Sequence, residues 1–272
     1  MNVLYIDIGG VVDDNYIYQY YGDLYRELKN ISNVYYHEGF VRNIHDVFKK
    51  YPVKMDCVIF GLGYFAQSLD IIYKQKILGL NNINIPVVCM LHKPQTMILE
   101  KLKFCRRNNI DLLVDSQCTY EKHAKVADAL PIRIPFTATP KHYHPREVDK
   151  VYDLGFCGAT HGGDKIKGAT KNLRNRIFEC LQEKEYNIFW NGQTKPSDRI
   201  GSIEEYATKI NQSKIWLSTT GPTLDVSPRY FEVMLSKTLL FCNKMDKEYG
   251  GMFIDGVNCV MFENDLSDFE DK

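Results

Sequence analysis

Short runs of apolar, β-branched residues alternate with longer amphipathic stretches along the chain. The runs "NVLYIDIGG", "DCVIFGLG" (56–63), "IPVVCML" (85–91), "DLLVDS" (111–116) and "IRIPF" (132–136) have strand composition. Between them, "YIYQYYGDLYRELKN", "SLDIIYKQKILGL" and "PQTMILEKLKFCRRNN" repeat apolar positions at helical spacing. Strands alternating with helices imply βαβ units and a parallel sheet covered on both faces. The polar stretch "TATPKHYHPREVDKVYD" breaks the rhythm and has the composition of an interdomain linker. The alternation resumes with "LGFCG", a helix over about 170–184, "YNIFWNG", a helix over about 203–212, and "KIWLSTTG". "SPRYFEVMLSKTLLFCNK" then supplies a turn, a helix and a buried strand, and "NCVMFE" the last strand. The expectation is an α/β chain of two Rossmann-like doubly wound domains facing a cleft, residues 1–148 and 149–272. In such sheets ligands bind beyond the carboxyl ends of the strands.

Composition narrows this picture. A chain of 272 residues can build two modest cores. Its 34 basic residues balance 34 acidic ones, which argues against a nucleic-acid binder that works through a strong positive field. The eight cysteines include no CxxC pair, and several lie in apolar runs such as "VVCML". They read as buried thiols of a reducing compartment, neither a disulfide framework nor a zinc site. The chain opens on no signal peptide, and no apolar run reaches transmembrane length, so a cytoplasmic protein is expected.

Candidate chemistry stands directly after the strands. Gly9 and Gly10 follow the first, where glycine lets a backbone approach a ligand; no GxGxxG is present. His92 follows "IPVVCML" at the mouth of the expected cleft. Asp13 and Asp14 read as solvated loop acids, and the HxH of His142 and His144 lacks further metal ligands. "FCGATHGGDKIKG" is a strand with Gly158 followed by a Gly-rich loop carrying Lys165 and Lys167; Arg174 and Arg176 come early in the next helix. Loop N–H groups, a helix N-terminus and several cations can cradle phosphates, although the GxxxxGK[ST] of a P-loop is absent. Arg229 and Glu232 lie three apart behind Pro228, on one face of a helix near its N-terminus. That pair reads either as a surface ion pair or as a site for an anion beside a diol.

The order of these pieces resembles the GT-B glycosyltransferases of the group 1 or family 4 type, and among them those encoded by chlorella viruses. "IPVVCMLHKP" resembles the family's strand with a histidine at the sugar end of the cleft, and "IRIPFTATPKHYHP" its linker. "DLGFCGAT" is similar to the opening strand of the donor domain, and "SPRYFEVMLSKTLLFCNK" with "FIDGVNCVMFE" is the most specific match. The resemblance implies that Glu232 binds the ribose hydroxyls of a nucleotide and that Arg229 faces its diphosphate. It puts His92 on the transferred sugar, Gly9 and Gly10 on the phosphate side of the first domain, and Ser202 near the base; Gly158, Lys165 and Arg174 of the phosphate cradle complete the expected donor-binding set. The family's E-x7-E pattern would need a glutamate where Leu224 stands; Asp225 beside it is the candidate replacement.

The implied activity is retaining transfer of a hexose from a nucleotide sugar, GDP-mannose before UDP-glucose, to a glycan or glycoprotein acceptor. No metal cofactor is expected, and a homodimer is left open. Two rival readings stand beside it. "YIDIGGVVDD" also resembles the first motif of haloacid-dehalogenase-type phosphatases, with Asp7 as the phosphoryl-accepting nucleophile and magnesium as cofactor. The other is a nucleotide-sugar-binding protein without transferase activity.

Overall fold

The computed structural model describes residues 1–8, 19–65, 73–92, 96–117, 119–160, 169–193, 198, 200–221, 225–245, 249 and 251–272. The chain packs as two units, Met1–Pro135 and Phe136–Lys272.

In the first unit, β1 (Asn2–Asp7), β2 (Asn33–Glu38), β3 (Cys57–Phe60), β4 (Val87–Met90), β5 (Leu112–Asp115) and β6 (Leu130–Arg133) form a parallel sheet in the order β2-β1-β3-β4-β5-β6. Helices α1 (Gln19–Ile31), α2 (Ile44–Phe48), α3 (Ile98–Arg107) and α4 (Tyr120–Ala127) cover it. Residues 3–6 of the first strand are buried without polar alternation because both faces are covered. Leu4 and Ile6 join Val58, Phe60, Leu102 and Phe104 on one face, while Tyr5 packs with Tyr25, Leu28 and Tyr36 on the other.

Three details depart from the sequence reading. Strand β2, "NVYYHE", was not expected: it is an edge strand, half-buried and without an aliphatic run, in register from Asn2↔Asn33 to Asp7↔Glu38. The helix expected over "SLDIIYKQKILGL" does not run its length. Ile77 N–H donates to Oδ1 of the buried Asn108 at 2.7 Å, Leu78 bridges to Asn43, and Gly79 turns the chain at φ +79°. Strand β6 begins at Leu130 rather than 132, carrying Pro131 at the sheet edge where a lost N–H donor is tolerated.

In the second unit, β7 (Tyr152–Ala159), β8 (Ile188–Gln193), β9 (Ser213–Ser218), β10 (Leu239–Asn243) and β11 (Val260–Phe262) form a parallel sheet in the order β11-β10-β9-β7-β8. Its helices are α5 (Ala169–Gln182), α6 (Ile203–Asn211) and α7 (Pro228–Leu235). One core gathers Leu173 and Ile177 of α5 with Phe156, Leu217, Phe241, Phe262 and Phe269. On the other face Trp216 meets Phe189 and Tyr206, and Gly155 permits the approach, since a Cβ there would lie 2.4 Å from the indole. The stretch read as a linker is attached to this unit. Arg146 N–H donates to Asn211 Oδ1 at 2.9 Å, Asn211 Nδ2 donates to the His144 carbonyl at 3.1 Å, and the rings of Tyr143 and Tyr206 meet edge-on. The packing therefore divides the chain at Pro135/Phe136, upstream of the 148/149 boundary read from composition.

Both strand orders reverse at the first strand of the unit, between β1 and β3 and between β7 and β9. At such switch points the flanking connections leave on opposite faces and open a crevice at the carboxyl edge. Among the described residues the cysteines are free thiols, all buried except the half-buried Cys180. No described helix is long and apolar enough to cross a membrane.

Candidate functional site

At the switch point of the second unit, Arg174 of α5 joins the ends of the two central strands. Its Nη1 donates to the carbonyl of Ala159 on β7 at 2.7 Å, and its Nε donates to Oγ1 of Thr219, directly after β9, at 2.7 Å. Gly158 leaves the room: a Cβ there would sit 3.0 Å from the Phe156 ring and 3.4 Å from Arg174 Nη1. Burial first, and then the positive charge of Arg229, together lower the pKa of Arg174 to about 10. Arg174 thus remains cationic at neutral pH, with a second guanidinium close enough to repel it. An anion between two such groups relieves that repulsion and gains charge-assisted hydrogen bonds.

Arg229 and Glu232 lie on α7, which starts with Ser227 in extended conformation and Pro228 in the first turn. Glu232 is half-buried rather than displayed at the surface. The Tyr206 hydroxyl donates to its Oε2 at 3.1 Å, and the Tyr143 hydroxyl also hydrogen-bonds to it. Burial pushes the Glu232 carboxyl up to about 7, while the Arg229 charge and the two tyrosines favour the ionised form. A carboxylate held in this way by two hydroxyls, beside a guanidinium, still has acceptor capacity for a diol. The structure therefore brings Arg174, Arg229 and Glu232 into one electrostatic neighbourhood at the carboxyl edge of the sheet.

The strand ends beneath are locked by Asn243, the last residue of β10. Thr220 N–H donates to Asn243 Oδ1 at 2.8 Å, and Asn243 Nδ2 donates back to Thr220 Oγ1 at 3.1 Å. Asp225 is buried and accepts from the Tyr249 hydroxyl at 3.3 Å, while its carbonyl accepts from Gly221 N–H at 2.9 Å. Ser202 is the N-cap of α6, its Oγ accepting from Glu205 N–H at 3.1 Å. Arg176 is exposed and donates to the Asp265 carbonyl, apart from Arg174. Gly9, Gly10, Lys165 and Leu224 lie outside the described residues.

The first unit presents a different edge. Asp7 ends β1 with no accessible surface; Oδ1 accepts from Ile8 N–H at 2.7 Å and Oδ2 from Gly63 N–H at 3.3 Å. Burial raises its carboxyl to about 7 against these backbone donors. Gly61 and Gly63 close over it, since a Cβ at either would fall 2.3 Å from a carboxylate oxygen. A phosphoryl-accepting nucleophile must be reached by its substrate, so this enclosure opposes the phosphatase role for Asp7. His92 is buried two residues past β4, and its carbonyl accepts from Nζ of the buried Lys101 at 2.6 Å.

Sequence reasoning missed Tyr143, Tyr206, Thr219 and Asn243. Thr219 and Asn243 stand at strand ends, so the rule that selected His92 selects them as well. Tyr206 reads as one more apolar-face residue of a helix, and Tyr143 lies in a stretch taken for linker.

The chain matches no known protein family and no curated protein. A solved structure of Alr3699/HepE from Anabaena, in complex with UDP, is similar to it with a TM-score of 0.54 and 12% sequence identity. The match covers 100% of this chain and 90% of that one. A likeness at this identity establishes the fold: two parallel α/β sheets flanked by helices, of the GT-B kind.

Proposed function

We propose that the protein is a glycosyltransferase that moves a hexose from a nucleotide sugar to a glycan or glycoprotein acceptor. The observation that carries this reading is Arg174 bridging the ends of β7 and β9, with Arg229 and the tyrosine-held Glu232 beside it. The two guanidinium groups bind the diphosphate and stabilise the negative charge that grows on it as the glycosidic C–O bond breaks. Glu232 accepts hydrogen bonds from the ribose diol, each such charged bond contributing about 1.5–3 kcal/mol. Because positive charge on the donor side comes from arginine, the reading assigns no metal to the reaction.

The family resemblance adds the finer terms. It favours retention of anomeric configuration, with His92 on the transferred sugar and Asp225 in place of the missing glutamate. It ranks GDP-mannose before UDP-glucose, whereas the UDP held by HepE supports a uridine nucleotide. Action in the cytoplasm, that of a host cell for a viral protein, belongs to the same proposal.

Calorimetric titration of GDP-mannose, UDP-glucose and UDP-galactose, in EDTA and then in magnesium, tests the reading. One donor is expected to bind without metal, and Glu232→Ala to weaken it about 10- to 100-fold. A folded protein that binds none of the three overturns the proposal. Binding without turnover of any donor identifies a nucleotide-sugar-binding protein instead.

A further inference from the structure

We propose that the end of β5 in the first unit carries a subsite for a saccharide hydroxyl, built from Asp115, His123 and Thr119, in which His123 Nε2 accepts a hydrogen bond from the acceptor sugar. The inference rests on the glycosyl-transfer reading above and names the acceptor's contact.

Asp115 is the last residue of β5, and its side chain is fully enclosed. Its Oδ1 accepts from Gln117 N–H at 3.0 Å, which fixes the carboxylate plane, and its Oδ2 lies 2.6 Å from His123 Nδ1. A carboxylate only accepts, so in the neutral imidazole the proton sits on Nδ1 and Nε2 is an acceptor. Nε2 meets Thr119 Oγ1 at 3.3 Å, long for a hydroxyl donor, and the same hydroxyl lies 3.5 Å from Gln117 Oε1. Turning the Oγ1 proton toward Gln117 Oε1 frees the Nε2 lone pair at little cost, because a threonine hydroxyl proton turns to suit its partner.

The placement points the same way. The imidazole side chain is 16% exposed where its carboxylate partner is 0%, so the pair runs from the interior to the surface. It stands at the carboxyl edge of a parallel sheet, where ligands bind. The pairing Met90↔Val114 puts His92 on the neighbouring strand end, and Asp115↔Arg133 puts a guanidinium on the other side. Polar residues therefore stand at three adjacent strand ends along this edge.

The test uses the full chain labelled with 15N-histidine and a panel of methyl glycosides of glucose, mannose and galactose. In the free protein the His123 resonances are expected to report an Nδ1–H tautomer, which Asp115→Asn perturbs. At least one glycoside is expected to move the Nε2 resonance of His123 and leave that of His45 in place. His123→Phe is expected to weaken that glycoside three- to tenfold with nucleotide-sugar affinity unchanged, and His123→Gln, which keeps an acceptor oxygen, to recover part of the loss. No shift with any glycoside overturns the proposal, as does an Nε2–H tautomer or an equal loss of nucleotide-sugar affinity in His123→Phe. Glycoside binding at His123 in a protein that takes up no nucleotide sugar leaves the subsite standing and overturns the transferase reading alone.

Discussion

In the first unit, the strand at the switch point ends on Asp7, whose carboxylate is taken up by its own chain at Ile8 and Gly63. In the second unit, the corresponding strand ends on Ala159, whose carbonyl is met by Arg174 from the following helix. Each unit buries a charged group at the same topological place. The acid is sealed by glycines and raised to about 7, close to losing its charge. The arginine, lowered only to about 10, keeps its charge and faces a second cation. An acid enclosed by glycines and held by backbone donors acts as a structural brace. Two like charges held near each other are in place to receive a ligand of opposite sign.

The largest expected effect is on stability against pH. Asp7 has its folded pKa raised from 3.8 to about 7, so its contribution is complete below about pH 4 and is lost as pH rises through about 7. The difference is on the order of 4 kcal/mol, and Asp7→Asn is expected to flatten the dependence of Tm on pH over that window. Glu232 adds in the same direction, its folded pKa being raised from 4.5 to about 7. Donor binding runs the opposite way, because the diol needs the ionised carboxylate: affinity is expected to rise through about pH 7 while Tm falls. If Tm and affinity rise together, the two acids do not have the assigned states.

Next in size is Arg174→Met, expected to lower nucleotide-sugar affinity at least about 100-fold by calorimetry, since it removes one of two facing cations. Asp7→Asn is expected to leave that affinity within about twofold. Equal effects of the two would erase the contrast between brace and receptor.

Gly61→Ala sharpens the first half of the comparison. Its methyl would meet Asp7 Oδ2 at 2.3 Å and the Tyr5 hydroxyl at 2.5 Å, an overpacking expected to cost about 1–3 kcal/mol in urea unfolding. The smallest effect is expected for Tyr206→Phe, which removes one hydrogen bond to Glu232 and leaves its ring contacts with Tyr143 and Trp216. A two- to tenfold loss of donor affinity, read by the same titration, is the expected outcome.

Much of the architecture was legible because it rests on local periodicity. The strands at β1, β3, β4, β5 and β7 through β11 and the helices α5, α6 and α7 follow from alternating apolar runs and helical spacing. Strand β2 escaped because an edge strand of tyrosines buries too little to show an aliphatic run. The stretch after "KQK" was read as helix from its isoleucines and leucines, whereas the buried Asn108 captures its backbone from 31 residues away. Of the candidate site, Arg174, Arg229 and Glu232 stood out by charge and placement. Their surroundings did not, because Tyr143 and Tyr206 reach Glu232 only through the fold.

The sequence by itself determined the alternation of strand and helix, the parallel sheets it implies, and the common helical face of Arg229 and Glu232. Each of these depends on spacing of two to four residues, which the backbone geometry sets locally. Only the tertiary structure decided that Asp7 is sealed, that Arg174 meets Thr219 across 45 residues, and that His123 turns to Asp115. Burial and electrostatics act through space, so the fate of a charged side chain is set by which elements are packed around it.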